Sequence, residues 1–185
     1  MSLMSRTWKK LNSKIVYSNS WIKVHEDQVL KPDGKEGIYG YLEKNQACFV
    51  IALDNEENIY LVKQFRYALQ KTILELPAGT VNNEDIADRA KAELLEEAGI
   101  EAKEWKRLGG FYVAPGHEST YINVYLATDL DLSKLSTSGQ DDDESILEIV
   151  KVSQPELKKM LTDGKIECGI SIAALNLFFL SHNKS

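Results

Sequence analysis

Three glutamates are crowded into one short stretch of the sequence. Glu93, Glu96 and Glu97 lie within LPAGTVNNEDIADRAKAELLEEAGI, residues 76–100. If the stretch is helical, the three carboxylates share one face, because residues three and four apart are neighbours on a helix. Like charges so placed destabilise an isolated helix by about 0.2–0.5 kcal/mol per pair. The cluster therefore indicates either a face that solvent screens or a site that a cation uses.

The residues in front of the glutamates favour the cation. LPAG, residues 76–79, ends a strand and turns into the helix through Gly79, so a backbone carbonyl of this loop can face the first carboxylate. Carboxylate and carbonyl oxygens are hard ligands of the kind that Mg²⁺ or Mn²⁺ prefers. Magnesium keeps several of its waters and is commonly shared with substrate phosphates. The stretch thus predicts a magnesium site, with manganese as the alternative ion.

The helix that must position these acids is predicted to span Glu84 to Ala98. Asn82 or Asn83 can cap its start, and Gly99 falls where a left-handed residue ends a helix. At about 100° per residue, the apolar and the acidic residues separate onto two sides. The apolar side consists of Ile86, Ala90, Leu94 and Ala98, and the acidic side carries Arg89 beside the three glutamates.

Strand patterns surround this helix. Short β-rich runs joined by turns predict an N-terminal antiparallel β-unit over residues 1–44. Two further runs around the turn DNEEN predict a hairpin whose first strand is central. A mixed sheet flanked by helices is predicted over residues 45–185, which makes this part an α/β domain. The remaining predicted strands are 72–76, 105–115, 119–130 and 145–153, and the remaining helices are 154–164 and 170–182.

Composition limits the classes of function. With 185 residues, 43% of them hydrophobic, the chain is long enough for a real core. A formal net charge of −6 argues against nucleic acid as a partner. Cys48 and Cys168 lie far apart in apolar stretches, so we expect buried thiols in a cytoplasmic protein. No apolar run reaches the roughly 20 residues of a membrane span, so no membrane partner is expected. The repeated Met1 and Met4 suggest that residues 1–3 are an expression scar.

The acidic stretch resembles the box of the Nudix hydrolases, G-x5-E-x7-R-E-U-x-E-E-x-G-U, in which U is a bulky aliphatic residue. The matching positions are Glu84, Glu93, Leu94, Glu96, Glu97, Gly99 and Ile100. The chain departs from the box at two places. Only four residues separate Gly79 from Glu84, and Ala92 stands where the box has its arginine.

The resemblance extends to the ADP-ribose pyrophosphatase branch of that family. In this branch a QFR strand and an E-x-P-A-G turn precede the box, and the N-terminal segments VYSNSWIKV and KPDG are also similar. The matching residues are Gln64, Phe65, Arg66, Glu75, Pro77, Ala78 and Gly79, and Pro115 stands 15 residues past Ile100 as it does in the branch. The resemblance implies a Nudix α/β/α sandwich with a mixed sheet, an N-terminal antiparallel β-unit and a domain-swapped homodimer.

The resemblance also implies the chemistry. Mg²⁺ would be held by the Ala78 carbonyl, Glu93 and Glu97, with Glu96 contributing directly or through water. In such enzymes metal ions bridge a diphosphate and lower the pKa of a bound water, which attacks phosphorus in line. Glu96 and Glu97 are therefore the expected catalytic acids. The expected reaction is Mg-dependent hydrolysis of a nucleoside diphosphate sugar, with ADP-ribose cleaved to AMP and ribose 5-phosphate.

Further residues receive roles from the same resemblance. Arg66 would hold a diphosphate or ribose group, and Glu75 would lie near the metal or the substrate. Glu144, with Asp143 second, is the candidate base for the water proton, because the acidic loop DDDE precedes a late strand.

Three more residues outside the acidic stretch are candidates for contacts with the substrate. His117, with its neighbour Glu118, follows the family's proline in the loop APGHEST. Trp21 lies in the N-terminal unit, whose aromatic residues stack on adenine in the resembling enzymes, often across the dimer interface.

The absent box arginine bears on the rate. In the family this arginine orients and charge-balances a catalytic glutamate, so Ala92 predicts stronger repulsion among the glutamates and reduced activity. Arg89 lies four residues before Glu93 on the same face. We hypothesise that Arg89 partly substitutes for the absent arginine.

Two alternatives remain open at the level of sequence. The box fixes diphosphate chemistry and not the base or sugar, so GDP-mannose or another nucleotide sugar is the alternative substrate. Ala92 and the shortened loop also agree with a catalytically weak Nudix domain that binds a nucleotide as a sensor. The full set of acids disfavours the sensor.

Overall fold

The computed structural model describes residues 7–136 and 145–182, and the chain divides into two units. The first unit comprises the described residues up to Asn45 together with Tyr112–Tyr121. The second comprises Gln46–Phe111 and the described residues from Ile122 onward. Asp143 and Glu144, the predicted base candidates, lie outside the described residues.

A three-stranded antiparallel sheet forms the first unit, which confirms the predicted N-terminal β-unit. Its strands are β1 (Lys9–Ser18), β2 (Lys23–Leu30) and β3 (Glu36–Glu43), in the order β1-β2-β3. The turn between β2 and β3 contains Gly34 with φ of +82°, a conformation that glycine adopts at no steric cost. The segment Tyr112–Tyr121 lies along β3, where the Leu42 N–H donates to the His117 carbonyl at 2.8 Å.

Among its described residues, the second unit contains seven strands, three α-helices and one short 3-10 helix, Tyr67–Leu69. The strands are β4 (Ala47–Ala52), β5 (Asn58–Arg66), β6 (Lys71–Glu75), β7 (Ala78–Thr80), β8 (Glu101–Tyr112), β9 (Tyr121–Asp131) and β10 (Ile146–Ser153). The helices are α1 (Ile86–Ala98), α2 (Gln154–Thr162) and α3 (Gly169–His182). One sheet has the order β7-β4-β9-β8 and the other has the order β10-β5-β6. Because β4 pairs parallel with β9 and antiparallel with β7, the predicted mixed sheet is confirmed.

Strand β4 is buried on both faces, as a central strand should be. Cys48 and Val50 belong to a core with α1, through Ala90 and Leu94. Alternate residues of the strand, such as Ile51, belong to a second core with α2 and α3. Helices therefore cover both faces of the sheet, which agrees with the predicted α/β sandwich. Among residues 7–136 and 145–182, the structure contains no helix whose length and apolar character would suffice to cross a bilayer.

The predicted hairpin of β4 and β5 is wrong. The two strands share one antiparallel bridge, between Leu53 and Ile59, and otherwise belong to different sheets. Strand β4 pairs with β7 and β9, whereas β5 pairs with β6 and β10. Both edges of each strand are thus occupied by other partners, so the turn joins two sheets.

Helix α1 begins at Ile86, two residues after the predicted start, and ends at Ala98 as predicted. Its N-cap is Asp85, whose carboxylate accepts the backbone N–H groups two and three residues further on, at 2.8 and 3.3 Å. The predicted asparagine cap was wrong because Asp85 supplies the same kind of acceptor directly before the first turn. Gly99 ends the helix with φ of +63°, as predicted.

The turn between β4 and β5 is organised around the Asp54 carboxylate. It accepts the backbone N–H groups of Glu56 at 2.9 Å and Asn58 at 2.8 Å, and it pairs with Lys151 at 2.9 Å. Burial alone would raise the pKa of Asp54, but the Asn58 N–H, the Lys151 ammonium and the Glu56 N–H lower it to about 2. The carboxylate therefore stabilises the fold in its ionised form.

We predict that Asp54→Asn destabilises the protein at pH 7 by about 1–3 kcal/mol, because it removes charge-assisted hydrogen bonds. The lowered pKa means that the contribution of Asp54 is complete above pH 4 and is lost as pH falls toward 2. Urea unfolding from pH 5 to pH 2.5 should show a smaller loss of stability in the variant than in the wild type. Asp88→Asn, on an exposed pair with Lys91, is the matched control. An equal pH dependence in wild type and Asp54→Asn would contradict the prediction.

Candidate functional site

The Glu97 carboxylate joins α1 to β7. The backbone N–H of Ala78 donates to its Oε2 atom at 2.9 Å, and the Glu97 residue is only 2% exposed. Strand β7 is placed for this contact because Ala78 pairs with Phe49 of the central strand, and Val50 donates its N–H to the Pro77 carbonyl at 2.8 Å. The predicted loop Leu76–Gly79 and the helix therefore meet, and a short strand that the sequence did not reveal fixes where they meet.

The Glu93 carboxylate lies directly against the backbone of Gly79. A Cβ atom added at Gly79 would overlap the Oε1 atom and the carboxyl carbon of Glu93. Glu93 is 1% exposed, so its carboxylate is packed into the space that any other side chain at position 79 would fill. Glycine is required here by close approach of the carboxylate and not by its backbone angles.

Arg89 lies among three glutamates of the same helix region. Its guanidinium forms an ion pair with Glu93, lies 3.3 Å from Glu96, and approaches Glu84 at 3.8 Å. Burial would lower the pKa of Arg89, but the charges of Glu93 and Glu96 outweigh it and raise the pKa. The predicted acidic side of the helix is thus confirmed, with Arg89 on it.

A second ion pair is formed by Arg66 of β5 and Glu75 of β6. Their contact is bidentate, with Nε to Oε1 at 2.7 Å and Nη2 to Oε2 at 2.8 Å. Glu75 is buried whereas the Arg66 side chain is 42% exposed. The hydrogen bond to Glu75 raises the pKa of Arg66, and the charge of Glu97 also raises it. Glu97 therefore acts electrostatically on the Arg66–Glu75 pair, and the contact of these two residues with substrate stays a prediction.

Two buried groups behind this site were not identified from the sequence as site residues. The Ser171 hydroxyl of α3 accepts the Leu76 N–H at 3.0 Å, and Ser171 is fully buried. Its signal in the sequence was weak, because Ser171 shares this largely apolar helix with Asn176, Ser181 and His182. On β4, the Cys48 thiol lies 3.5 Å from the Gly79 carbonyl, and burial raises the pKa of the thiol to about 12. Both residues support the strand on which the carboxylates rest.

The donor set suits a hard divalent cation. No three acidic, histidine or cysteine side chains within residues 7–136 and 145–182 already converge as a metal cluster. The oxygen donors and the charge nonetheless fit, because five carboxylates against two guanidiniums leave a formal net charge of −3. The carboxylates are those of Glu75, Glu84, Glu93, Glu96 and Glu97, and the guanidiniums are those of Arg66 and Arg89.

In the first unit, aromatic side chains line an open cavity of about 350 Å³. His117 and Glu118 line it together with Tyr39 and Tyr41, so the structure brings these four residues into one place. Other residues around it are Tyr112, Pro115, Gly116 and Ser119. Trp21 is not among the lining residues; it lies in the turn between β1 and β2 and is 72% exposed.

A partly buried histidine, His25, supports one wall of this cavity. The His25 ring stacks on Tyr41 with centroids 4.7 Å apart and an interplanar angle of 4°. Its Nε2 atom lies 2.8 Å from Oε2 of Glu43. The stack fixes the plane of Tyr41, so the cavity has at least one preorganised aromatic face.

Comparison with known protein families gives two matches along the chain. The NUDIX domain matches residues 44–168, which is more than half of the sequence. The domain described as the nucleoside diphosphate sugar hydrolase N-terminal domain matches residues 8–42.

Individual proteins of known name are similar over most of their length. The ADP-ribose pyrophosphatase of Bacillus subtilis (strain 168) and the methanol dehydrogenase activator of Bacillus methanolicus are each 30% identical over 159 residues, covering 85% of both chains. The GDP-mannose pyrophosphatase of Salmonella arizonae is 26% identical over 148 residues, covering 77% of both chains. A solved structure titled as an ADP compounds hydrolase aligns with a TM-score of 0.82 at 20% identity, covering 96% of both chains. The structural likeness establishes the fold, and the predicted Nudix sandwich is confirmed.

We predict that Gly79→Ala weakens binding of Mn²⁺ by about tenfold or more, because the added Cβ displaces the Glu93 carboxylate. The measurement is a Mn²⁺ titration followed by electron paramagnetic resonance, together with thermal unfolding to check the fold. Gly169→Ala is the matched control, since a Cβ there meets nothing within 4 Å. Unchanged Mn²⁺ affinity in Gly79→Ala would show that the position of Glu93 does not matter to the cation.

Proposed function

The chain belongs to the Nudix family and is a Nudix hydrolase, and from this premise we propose that it hydrolyses the diphosphate bond of a nucleoside diphosphate sugar. ADP-ribose is the leading substrate, and its products would be AMP and ribose 5-phosphate. The observation that carries the proposal is the pair of buried glutamates, Glu93 and Glu97, held against the Ala78–Gly79 backbone. The match of residues 8–42 to the N-terminal domain of nucleoside diphosphate sugar hydrolases supports the substrate class.

The ion we propose is Mg²⁺, with Mn²⁺ as the alternative. Ala78 through its carbonyl, Glu93 and Glu97 would hold it, and Glu96 would contribute directly or through water. When bound, a divalent ion neutralises negative charge on a diphosphate and lowers the pKa of a coordinated water. The formal charge of −3 around these residues supplies the attraction that such a cation needs.

Arg66 is suited to bind an anionic group of the substrate. Glu75 uses two of its five N–H donors and thereby fixes the guanidinium plane, while the remaining donors are available. The side chain is 42% exposed, so a phosphate can approach it. Glu75 acts here as the residue that orients Arg66, close to the substrate.

The acids divide the remaining work. Glu97 is buried and held by the Ala78 N–H, whereas Glu96 is 36% exposed and can meet a solvent molecule. We assign both residues to catalysis. Glu97 fixes the geometry of the reacting groups, and Glu96 contributes to the metal site directly or through water. The base for the water proton remains assigned to Glu144, with Asp143 second.

The cavity of the first unit is proposed to bind a ring of the substrate. Its tyrosines offer flat faces for a base, and His117 offers a ring nitrogen for a hydrogen bond. We further propose a homodimer that exchanges the N-terminal sheet and carries Trp21 to the base. The exposed apolar residues along β1 support this, because a strand with such a surface needs a partner. They are Leu11, Ile15, Val16 and Tyr17.

GDP-mannose is the second candidate substrate. It is favoured by the similarity to a GDP-mannose pyrophosphatase over 77% of the chain. A nucleotide sensor is the alternative from another class, and binding of ADP-ribose without turnover at saturating Mg²⁺ would decide for it.

We predict that Glu97→Gln lowers release of nucleoside monophosphate by about a hundredfold, because the neutral amide is a weaker ligand and disturbs the contact with Ala78. The assay incubates the protein with Mg²⁺ and a panel that includes ADP-ribose and GDP-mannose. Glu101→Gln, an exposed residue paired with Lys134, is the matched control. Equal release by Glu97→Gln and wild type would remove the proposed mechanism.

We predict that Trp21→Ala raises KM for ADP-ribose by about tenfold and leaves kcat within a factor of three, because a stacked base is worth about 1–3 kcal/mol. The control is Leu180→Ala on α3, which also truncates an exposed apolar side chain and should change neither KM nor kcat. Initial rates and light scattering on the same samples separate loss of base contact from loss of the dimer. An unchanged KM in Trp21→Ala would exclude its contact with the base.

A further inference from the structure

The position of Arg89 identifies it as more than a surface partner. The carboxylate it pairs with, Glu93, is 1% exposed, and a buried carboxylate requires a counter-charge or donors. Exposed ion pairs on a helix surface contribute little to stability. Lys91 and Asp88 form such a pair on α1, at 2.9 Å with side chains 50% and 71% exposed. Arg89 and Lys91 are thus two cations of one helix in different environments.

Arg89 is itself held from two other directions. Glu96 lies 3.3 Å from its Nη1 atom, and Glu84 lies 3.8 Å from its Nε atom. Its side chain is 25% exposed, so three carboxylates restrict a residue that is otherwise free to turn into solvent. A planar guanidinium placed in this way can fix the carboxylate beside it, which a flexible ammonium would do less well.

Helical spacing explains why position 89 can serve Glu93. Arg89 precedes Glu93 by four residues, so the two side chains are neighbours on one face. Ala92 adjoins Glu93 in sequence and is four residues before Glu96, but its methyl group carries no charge. Glu84 lies just before the N-cap Asp85, and its carboxylate extends along the first turn of the helix toward Arg89.

We propose that Arg89 is the positioning residue for Glu93 and that it performs from position 89 the task that the resembling family gives to an arginine at the position of Ala92. Glu84 and Glu96 hold Arg89, and Arg89 holds the Glu93 carboxylate against Gly79. The proposal rests on the proposed function, since it assigns a role in hydrolysis at the same site.

The test compares Arg89→Ala with Lys91→Ala and with the double variant Arg89→Ala/Ala92→Arg. We expect Arg89→Ala to lower kcat for ADP-ribose by at least about tenfold while KM changes less than threefold. Its Mn²⁺ dissociation constant should change by less than the roughly tenfold expected for Gly79→Ala, because the loss of one positive charge offsets the loosening of Glu93. The Mn²⁺ resonance should broaden as Glu93 loses its fixed geometry. The double variant should regain at least a third of the wild-type kcat and the narrow resonance, and Lys91→Ala should match the wild type throughout.

Two outcomes for the single variant would overturn the proposal. They are a kcat within twofold of the wild type, and a loss of kcat that is matched by weaker Mn²⁺ binding and a lower Tm, which would indicate a merely structural role. A double variant with a kcat no higher than that of Arg89→Ala would overturn the proposal that an arginine at position 89 does the work of one at position 92. Arg89→Lys keeps the positive charge but lacks the planar guanidinium, so its kcat should lie between those of the wild type and Arg89→Ala. If Arg89→Ala does not fold, Arg89→Lys provides the test of the proposal. If the wild type cleaves no nucleotide sugar, the proposed function fails, and the resonance width still reports whether Arg89 fixes Glu93.

Discussion

The burial of two carboxylates beside the backbone of β7 is the constraint on which the rest of the site depends. Glu93 and Glu97 are almost completely removed from solvent, where an ionised group is stable only with donors and counter-charge close by. The backbone N–H of Ala78 donates to Glu97, and the guanidinium of Arg89 supplies counter-charge to Glu93. The absence of a side chain at Gly79 leaves the space that the Glu93 carboxylate occupies. The acids are therefore positioned by packing and short-range electrostatics within the protein itself.

Distant parts of the sequence cooperate in holding the three-residue strand β7. The central strand β4 pairs with it, and the Val50 N–H secures the Pro77 carbonyl just before it. On the other side, Ser171 of α3 satisfies the Leu76 N–H, almost a hundred residues away in sequence. A strand this short could not be stable alone, so the two cores of the second unit give the site its rigidity.

Local patterns predicted much of this arrangement, and long-range pairing accounts for what they missed. Gly99 and the apolar spacing of α1 predicted where the helix ends and which side is acidic, because both are set within a few residues. The start of α1 shifted to Asp85, since several adjacent polar residues can cap and only the folded turn selects one. The predicted hairpin of β4 and β5 was wrong because strand pairing depends on partners far along the chain. The closeness of Arg66, Glu75 and Glu97 followed only from resemblance, since no local rule joins β5, β6 and α1.

The buried thiol of Cys48 has a consequence for how the lifetime of the site can be followed. A thiolate is the reactive form of cysteine, and a fully buried thiol with a pKa of about 12 does not react while β4 and β7 remain paired. A thiol reagent can therefore modify Cys48 only during those moments when the strand pair opens. Cys168 is only half-buried and provides an internal reference for the reagent. Cys48 is thus a native reporter of local opening. The rate of its modification reports on the opening of the β4–β7 pair, which carries the backbone that contacts Glu93 and Glu97.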